Sequence, residues 1–578
     1  MIILGLSGAL GHDPSAALLI DGEIVAAAEE ERFVREKHAK NRMPREAARY
    51  CLDEAGVVPA EIDAVAFPYA PISIFSPARW HYARRHWYAP DRALDAIFNG
   101  NRRFRRNRAR VTALGEELGI DWSRTTFEPV QHHLAHASSA YHLSGFEERT
   151  AVLGVDGKGE YATTFLGVGE AGAIRCIREF YDPDSLSGVY GALTEYLGFE
   201  MQDGEYKLMG MAPYGDPQRF DFAPLLGCRD GDVRVDTRLV NTVGLRRYRD
   251  DGRGRYFGAS LARRLGPPRR GDTADEPYIH HAAAMQQAYE DACLALIDRY
   301  LGDVLSDTGR LVFAGGGALN VKLNQRILAR DDVDELFVQP AAGDAGTALG
   351  AATYVANRAG DVLRPMTHVH LGPAFSPREC RDALAPYTGL TVVELDDVPS
   401  RAAQILAAGH PLAWFQGRME FGPRALGARS ILGCPQVAGI AGRINAEIKY
   451  RERWRPFCPS LIDSVATDIL GSSHPAPFMT IAFDVAEHWR SRTPEVVHVD
   501  GTARAQVVTH DANPRYYALL TRLGELTGAP VVLNTSLNRR GEPIACTPSD
   551  ALDILVGSEL GYLVMEDLLI TKRGTPGA

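Results

Sequence analysis

Residues 2–33 read IILGLSGALGHDPSAALLIDGEIVAAAEEERF, and the prediction of the fold starts from this segment. Two apolar strands flank a polar turn with glycines, and a tight turn at Asp21-Gly22 leads into a third strand. Residues 151–180, AVLGVDGKGEYATTFLGVGEAGAIRCIREF, repeat this pattern with their turn at residues 170–172. The repeat predicts an α/β domain of two duplicated halves with a cleft between them. Two unrelated three-stranded meanders are the alternative.

Helical patterns follow each copy. Residues 44–56 have proline near the start and glycine at the end, the usual asymmetry of a helix, and residues 279–302 form a longer pattern. A strand at 311–315 enters a run of three glycines and then a helix, an arrangement that presents backbone N–H groups to a nucleotide. We assign the nucleotide contacts of this domain to Gly157, Lys158, Lys207, Gly315, Gly316, Gly317 and Asn320.

The composition is that of a soluble globular protein. The 578 residues include 45% hydrophobic and 24% charged residues, and this length suits roughly two to four domains. The segment 361–376 contains proline and glycine without a long periodic pattern, which predicts a domain boundary. We therefore expect an N-terminal domain over 1–365 and a smaller α/β domain over 366–578.

The sequence also limits location and partners. No apolar run reaches the roughly 18 residues of a membrane span, and the start lacks the pattern of a secretory signal. Eight cysteines without a C-x-x-C pair are typical of reduced thiols. We expect a cytoplasmic protein without a membrane partner. The oligomeric state is left open, with a homodimer as one option.

A net charge of −10 argues against a general nucleic-acid binder. Residues 79–110 nevertheless combine many arginines with Trp, His, Tyr and Phe, as a nucleic-acid patch would. In an acidic protein, a solvated helical face or a substrate-facing insertion is the favoured interpretation.

The segment QHHLAH carries the strongest local signal for chemistry. In a helix, His132 and His136 share one face, as two imidazoles on one metal require. A metalloprotease would need glutamate where His133 stands. Asp156 and Asp344 lie in glycine-containing loops after predicted strands and meet the histidines if the two halves face each other. Two histidines and two aspartates suit iron, manganese or zinc, whereas a core histidine pair is the simpler alternative.

Two other N-terminal residues are candidates. His12 lies in the first strand-to-strand turn, and its ordinary pKa near neutrality suits a general base that deprotonates a hydroxyl. Lys207 lies in a glycine-bracketed segment and is predicted to hold a phosphate or a carboxylate, with a salt-bridged turn as the alternative.

The C-terminal part carries a second cluster of polar and cationic residues near glycines and strand ends. Arginine forks and a lysine point charge suit a phosphate substrate, and side chains at the end of an apolar strand can donate to phosphate oxygens. The predicted phosphate contacts are Arg424, Arg429, Lys449, Arg504, Asn534 and Ser536.

Taken together, these segments resemble the carbamoyltransferase family that includes nodulation protein NodU and the cephalosporin and tobramycin O-carbamoyltransferases. The resemblance spans essentially the whole chain. It rests on HDPSAALLIDG, AEEERFVREKH, QHHLAHASSAY, VDGKGE, YKLMGMAPYG, FAGGGALN, FGPRALGARSILG, WRPFCPS, NPRYYALL and LNTSLNRRGEPI.

The resemblance implies an N-terminal domain similar to the actin-like ATPase fold of tRNA threonylcarbamoyl transferases and a C-terminal domain of the YrdC type. In such enzymes the C-terminal domain converts carbamoyl phosphate and ATP, with Mg²⁺, to carbamoyladenylate. The N-terminal domain passes the carbamoyl group to an acceptor hydroxyl of a natural product or glycan. The acceptor itself is not identified by the sequence, and an amine remains open.

The resemblance also implies roles for individual residues. His132, His136, Asp156 and Asp344 match metal ligands, usually for Fe²⁺. His12 matches the acid/base of transfer, and Lys37 matches a substrate-side catalytic lysine. Contacts to carbamoyl phosphate and ATP in the C-terminal domain are matched by Arg424, Lys449 and Arg504. Two other classes stay open: a sugar kinase with an actin-like fold, and a non-catalytic nucleotide-responsive scaffold.

Overall fold

A computed structural model shows two compact units. The first is Met1–Val25 with Asn41–Pro365, and the second is Ala26–Lys40 with the chain from Met366 onward. The division at Pro365 coincides with the expected boundary, but the segment around helix α1 (Glu30–Val34) groups with the second unit instead of the first. The structure describes residues 1–229, 231–250, 252–271, 273–452 and 454–575.

Two five-stranded sheets form the framework of the first unit. The last residues of strand β3, from Ala26 onward, are grouped with the second unit. In the first sheet the order is β3-β2-β1-β4-β5, with β1 antiparallel to β2 and parallel to β4. Its strands are β1 (Ile2–Leu6), β2 (Ser15–Ile20), β3 (Glu23–Glu29), β4 (Ala64–Phe67) and β5 (Thr126–Pro129).

The second sheet repeats this arrangement as β8-β7-β6-β11-β12. Its central strand β6 is antiparallel to β7 and parallel to β11. Because strand order and directions match, the predicted duplication is confirmed, and the unit has the expected actin-like fold. The strands, with a separate hairpin of β9 and β10, are β6 (Thr150–Val155), β7 (Ala162–Glu170), β8 (Ala173–Tyr181), β9 (Arg247–Asp250), β10 (Arg253–Gly258), β11 (Arg310–Ala314) and β12 (Glu335–Val338).

Helices cover these sheets, and the predicted helices at 44–56 and 279–302 are present as α2 and α11, the latter continuing to Thr308. The helices of this unit are α2 (Arg45–Ala55), α3 (Pro77–Arg85), α4 (Pro90–Asn99), α5 (Arg102–Leu118), α6 (His132–Tyr141), α7 (Leu186–Tyr196), α8 (Glu205–Met211), α9 (Ala223–Leu226), α10 (Ala259–Leu265), α11 (Tyr278–Thr308), α12 (Val321–Leu328) and α13 (Gly346–Ala359).

Helices α6 and α13 pack against each other at the centre of the unit. Helix α13 also lies on β1, β2 and β4 of the first sheet, and α6 lies on β6, β7 and β11 of the second. The approach is close because Gly350 has no Cβ; one placed there would lie 1.9 Å from the carbonyl oxygen of Ala135. The two halves therefore meet along the helix that carries the predicted histidine ligands.

The second unit is built on an eight-stranded mixed sheet of order β13-β22-β21-β14-β15-β20-β16-β19. Its strands and a small pair, β17 and β18, are β13 (Leu390–Glu394), β14 (Leu412–Phe415), β15 (Arg429–Gly433), β16 (Cys458–Ile462), β17 (Phe483–Asp484), β18 (Thr502–Ala503), β19 (Gln506–Val508), β20 (Val531–Ser536), β21 (Tyr562–Met565) and β22 (Leu568–Lys572). Its helices are α14 (Pro377–Asp382), α15 (Val398–Ala407), α16 (Ile440–Ile444), α17 (Asp463–Leu470), α18 (Glu487–Arg490), α19 (Pro514–Thr527) and α20 (Pro548–Val556).

Apolar residues from both faces of this sheet are buried in two clusters, one around Phe415 and Leu563 and the other around Trp414 and Leu520. The smaller α/β unit predicted after residue 365 is thus present. Within the described ranges, no helix is both long and apolar enough to cross a membrane.

Candidate metal centre and phosphate site

Four predicted ligands come together in the first unit. His132 and His136 lie one turn apart on α6, Asp156 directly follows β6, and Asp344 lies in the turn before α13. The parallel pairing of β6 and β11, together with the packing of α6 on α13, brings these elements to one place. One ligand atom from each side chain lies within 4.8 Å of all the others, and all four side chains are buried.

The distances describe a compact set of nitrogen and oxygen donors. His132 Nε2 lies 3.5 Å from Asp156 Oδ2 and 3.5 Å from Asp344 Oδ1. His136 Nε2 lies 3.2 Å from His132 Nε2 and 3.7 Å from Asp344 Oδ1. Two imidazole nitrogens and two carboxylates pointing at one volume fit a divalent transition metal such as iron, manganese or zinc.

Electrostatics in this cluster favour a cation. Burial opposes the ionisation of Asp344, but the charges of His12 and His132 outweigh it and hold the pKa of Asp344 well below its usual range. Burial and the nearby Asp344 charge likewise oppose ionisation of Asp156, yet hydrogen bonding to His132 keeps the pKa of Asp156 low. Two ionised carboxylates side by side in a buried site repel each other, and a metal ion between them would offset that repulsion.

His12 joins the same cluster from the β1–β2 turn. Its Nδ1 lies 3.0 Å from Asp13 Oδ2 and 3.6 Å from Asp344 Oδ2, and the side chain is 19% exposed. Burial alone would lower the pKa of His12, but the charges of Asp344 and Asp13 raise it to about 9. The predicted general base therefore stands at the rim of the metal cluster, partly open to a substrate.

Glu160, which the sequence analysis did not single out, holds the start of α6. Its carboxylate accepts hydrogen bonds from the backbone N–H groups of Ala70, at 2.8 Å, and His132, at 3.2 Å. Gly316 N–H likewise donates to Asp156 Oδ1 at 2.9 Å. Glu160 is the last residue of the VDGKGE motif. Its closeness in sequence to Asp156 is the feature from which a role near the site could have been predicted.

The predicted nucleotide loop lies beside this cluster. Gly315 has a φ of +91°, and Cβ atoms on Gly315 or Gly317 would approach the carbonyl oxygen of Val155 within 2.4 and 2.8 Å. These glycines therefore let the turn after β11 pack against the end of β6. The N–H group of Gly316 is used by Asp156 and is not left for a phosphate.

Asn320 and Gly157 have structural partners. Asn320 caps α12 by accepting from Leu323 N–H, and its amide exchanges hydrogen bonds with Gln286. The carbonyl of Gly157 accepts from Ser185 Oγ at 2.8 Å. Asn320 thus belongs to a buried polar network next to the glycine turn.

The two predicted N-terminal nucleotide lysines differ from expectation. Lys158 pairs with Asp182 and stands over the Tyr82 ring at 5.0 Å, because the β6–β7 turn faces α3. Lys207 was expected in a loop, but it lies in helix α8 with its ammonium 5.5 Å from the Phe199 ring centre. Gly204 is the residue immediately before helix α8, so Lys207 is not part of a glycine-flanked loop.

In the second unit, Lys449 and Ser536 are brought together. The Lys449 ammonium donates to the backbone oxygen of Ser536 at 2.8 Å, to its hydroxyl at 3.2 Å, and to the backbone oxygen of Asn538 at 3.0 Å. Asn538, two residues past the predicted strand-end donors, is a contact the sequence analysis missed. Lys449 lies at the end of a π-helical turn over Asn445–Lys449, and β20 ends at Ser536.

Cations cluster around this point. Burial lowers the pKa of Lys449 well below its usual range, and the charges of Arg451, Arg455 and Lys37 lower it further. Lys37 lies in the segment Ala26–Lys40 of the second unit. The substrate-side lysine that was expected in the N-terminal domain is therefore placed with the cations of the C-terminal one. Such a cluster favours binding of a polyanion.

Three other predicted residues surround the same strand. Arg504 donates from Nε and Nη2 to Cys458 Sγ at 3.1 and 2.9 Å, and Cys458 is paired with Asn534 in the sheet. Asn534 is buried and donates to the carbonyl of Ala425, the neighbour of Arg424, at 3.2 Å. The amide of Asn534 thus helps hold the Arg424 loop in place.

Arg429 is a different case. It is fully buried, and its guanidinium donates to the backbone oxygens of Gln416, Ala428 and Pro373 at 3.0–3.1 Å. It also lies 3.6 Å from the ring centre of Phe415. Because these contacts occupy the side chain, we assign Arg429 to the fold and remove it from the proposed phosphate contacts.

Replacing Arg429 by methionine is expected to destabilise the second unit by about 3 kcal/mol, since three buried carbonyls lose a charged donor. Arg522→Met, which removes an exposed arginine paired with Glu525, should leave the unfolding midpoint close to that of the parent. Urea unfolding followed by circular dichroism measures both. Equal midpoints for the two variants would contradict the structural role of Arg429.

Comparison with known proteins agrees with these observations. Residues 2–353 match the family described as carbamoyltransferase N-terminus, and residues 403–572 match carbamoyltransferase C-terminus. Nodulation protein NolNO of Sinorhizobium fredii is 37% identical over 99% of this chain and 83% of its own length. An uncharacterized protein of Synechocystis is also 37% identical, over 99% of this chain and 97% of its own length.

A more distant relative is nodulation protein U of Rhizobium tropici, 26% identical over 92% of this chain and 90% of its own length. Among solved structures, the ROK hexokinase of Thermus thermophilus overlaps 61% of this chain and 98% of its own, at 17% identity and a TM-score of 0.26. That score is too low to support an argument. The two family matches and the full-length relatives do: the chain belongs to the carbamoyltransferase family.

Proposed function

We propose that the protein is an ATP-dependent O-carbamoyltransferase with two half-reactions. In the second unit, water cleaves the bond between phosphorus and the carbamoyl oxygen of carbamoyl phosphate, which releases inorganic phosphate and leaves carbamate. A carbamate oxygen then attacks the α-phosphorus of ATP, the bond to pyrophosphate breaks, and carbamoyladenylate is formed. In the first unit, the carbamoyl group of this adenylate passes to a hydroxyl of a natural product or glycan.

One observation carries the transfer step: the convergence of His132, His136, Asp156 and Asp344 on one buried volume with His12 3.6 Å from Asp344. Such a set suits a bound Fe²⁺, Mn²⁺ or Zn²⁺ ion next to a base. A kinase would need no histidine pair at this place. When bound, the metal supplies positive charge that offsets the phosphate charge as AMP leaves and draws the Asp344 charge away from His12.

His12 supplies the base that an alcohol needs. Its Nδ1 is oriented by Asp13, which leaves Nε2 to take the proton of the acceptor hydroxyl. The acceptor oxygen forms a bond to the carbamoyl carbon, the bond between that carbon and the AMP oxygen breaks, and the electron pair leaves with AMP.

The cations around Lys449, which are Arg451, Arg455 and Lys37, support the first half-reaction. These cations offset the charge of carbamoyl phosphate and of the ATP phosphates, with Mg²⁺ on the nucleotide. Arg424 and Arg504 complete the proposed contacts, and Ser536 offers a hydroxyl at the strand end.

The direct test is pyrophosphate release by the purified protein with ATP, with and without carbamoyl phosphate and with no acceptor added. Pyrophosphate and AMP that depend on carbamoyl phosphate are the expected result. ADP as the nucleotide product would instead indicate the sugar kinase, and no turnover at all would favour the scaffold.

The metal set makes its own prediction. His136→Ala is expected to lose most of the bound metal measured by elemental analysis, because one of two nitrogen donors is gone. His142→Ala, on the same helix but hydrogen-bonded to Ser138 and Gly172, is the matched control and should keep its metal. A full metal content in His136→Ala would remove this residue from the ligand set.

A further inference from the structure

The chain around helices α3 and α4 exposes large apolar side chains from the loop before α3, from both helices and from the turn between them. Among the described residues, 18 large hydrophobic side chains are exposed, and six of them fall within residues 74–98. We call these six the apolar patch. They are Ile74 (42% exposed), Phe75 (85%), Trp80 (51%), Trp87 (74%), Leu94 (55%) and Phe98 (70%).

The backbone under the patch is pinned by a buried arginine. Arg79 donates to the carbonyl of Ile72 at 2.6 Å and to that of Ile97 at 3.1 Å. Trp80 Nε1 donates to the carbonyl of Ile74 at 3.0 Å. The loop before α3 and the end of α4 therefore meet at Arg79, and the neighbouring side chains of Phe75, Trp80 and Phe98 are presented from one ordered support.

Asn101 extends this support to α5. Its side chain accepts from the N–H of Ile72 at 2.9 Å and donates to the carbonyl of the same residue at 3.0 Å. The first turns of α5 thus begin next to the patch, and they are rich in arginine.

Positive charge surrounds the patch. Over residues 72–108, seven arginines are exposed against two aspartates, although the whole chain carries a net charge of −10. The aspartates are Asp91 and Asp95, both on α4. The exposed arginines are Arg84, Arg92, Arg102, Arg103, Arg105, Arg106 and Arg108.

We propose that this surface docks the protein onto an anionic lipid bilayer. Tryptophan, phenylalanine and leucine side chains enter the boundary between head groups and acyl chains, and arginines bind the anionic head groups. The expectation of no membrane partner rested on the lack of a membrane-spanning segment. A pair of helices that binds at the bilayer surface does not need a spanning segment.

Other occupants fit this surface less well. A second copy docked face to face by two-fold symmetry would set the arginine-rich surface against itself, so like charges would repel. A nucleic acid would use the arginines and aromatic rings but leave Ile74 and Leu94 without a role.

The test is flotation of the full-length protein with phosphatidylcholine vesicles and with vesicles of phosphatidylcholine and phosphatidylglycerol at 7:3. We expect binding to the anionic vesicles that is at least about tenfold stronger than to the neutral ones and that weakens in 0.5 M salt. No binding, or equal binding to both vesicles, would overturn the proposal.

Variants locate the surface. Trp87→Ser/Phe98→Ser and, separately, Arg102→Glu/Arg105→Glu should each reduce binding to anionic vesicles at least about tenfold. The control Val58→Ser/Val362→Ser removes side chains of the first unit that are 57% and 81% exposed and lie outside residues 72–108, and it should bind as the parent does. Circular dichroism and melting temperature establish that each variant is folded, and the charge-reversal pair keeps the test open if the apolar pair is not.

Two further experimental outcomes would contradict the proposal of membrane binding. Light scattering that shows a concentration-dependent dimer, lost in Trp87→Ser/Phe98→Ser, would assign the surface to a second copy. Binding to an unstructured RNA that is stronger than to anionic vesicles would assign it to nucleic acid.

Discussion

Replacing His12 by asparagine is expected to lower carbamoyl transfer by about 10²–10⁴-fold while leaving carbamoyl-phosphate-dependent pyrophosphate release intact. Asparagine can keep a hydrogen bond to Asp13 but cannot take a proton from an acceptor hydroxyl. The two half-reactions should therefore separate in this variant, with the adenylate formed and not consumed.

Transfer can be measured as incorporation of ¹⁴C from labelled carbamoyl phosphate into a small-molecule extract of the organism that encodes the protein. Pyrophosphate release is measured in parallel. His510→Asn is the matched control because His510 is 70% exposed in the second unit. If His12→Asn incorporates label at the rate of the parent, His12 has no part in the transfer.

Replacing Lys449 by methionine is expected to lower carbamoyl-phosphate-dependent pyrophosphate release by about 10²–10³-fold, the usual effect of removing one preorganised donor. Methionine has similar length and tolerates burial, but it leaves the carbonyls of Ser536 and Asn538 without this donor. Circular dichroism and the urea midpoint of the variant are therefore measured together with the rate. Lys572→Met is the control in the same unit, since Lys572 donates to the Ser558 carbonyl near the chain end. A normal rate in Lys449→Met would place the phosphate site elsewhere.

The same lysine gives a pH prediction. Because burial and neighbouring cations lower the pKa of Lys449, a bound phosphate should raise that pKa and draw a proton onto the ammonium. Affinity for carbamoyl phosphate is therefore expected to fall as pH rises through the pKa of the free site. Calorimetry in buffers of different ionisation enthalpy would measure the proton uptake, which Lys449→Met should lose.

The metal set was predictable from sequence because each ligand lies next to a local signal. His132 and His136 share a helix face, and Asp156 and Asp344 follow strands. Asp156 follows β6 and Asp344 follows β12 at one edge of the second sheet, because β6, β11 and β12 run parallel. Once the two halves of the first unit pack through α6 and α13, the four ligands have one place to meet.

Other assignments depended on partners distant in sequence. The sequence makes Lys158 a candidate phosphate contact, but in the structure it pairs with Asp182 next to Tyr82. The sequence makes Arg429 a candidate as well, but its guanidinium donates to three backbone carbonyls. Residue type and spacing show which groups a side chain can bind. They do not show which groups of the folded chain lie in contact with it.

Short-range periodicity and local motifs in the sequence predict the repeated α/β pattern, a boundary near residue 365, the histidine pair of α6 and the cations of the second unit. They do not predict that Ala26–Lys40 groups with the second unit, that Lys37 stands with Lys449, or that Glu160 holds the first turn of α6. Burial and hydrogen-bond partners are set by contacts between residues far apart in the chain, and these contacts form only when the units fold.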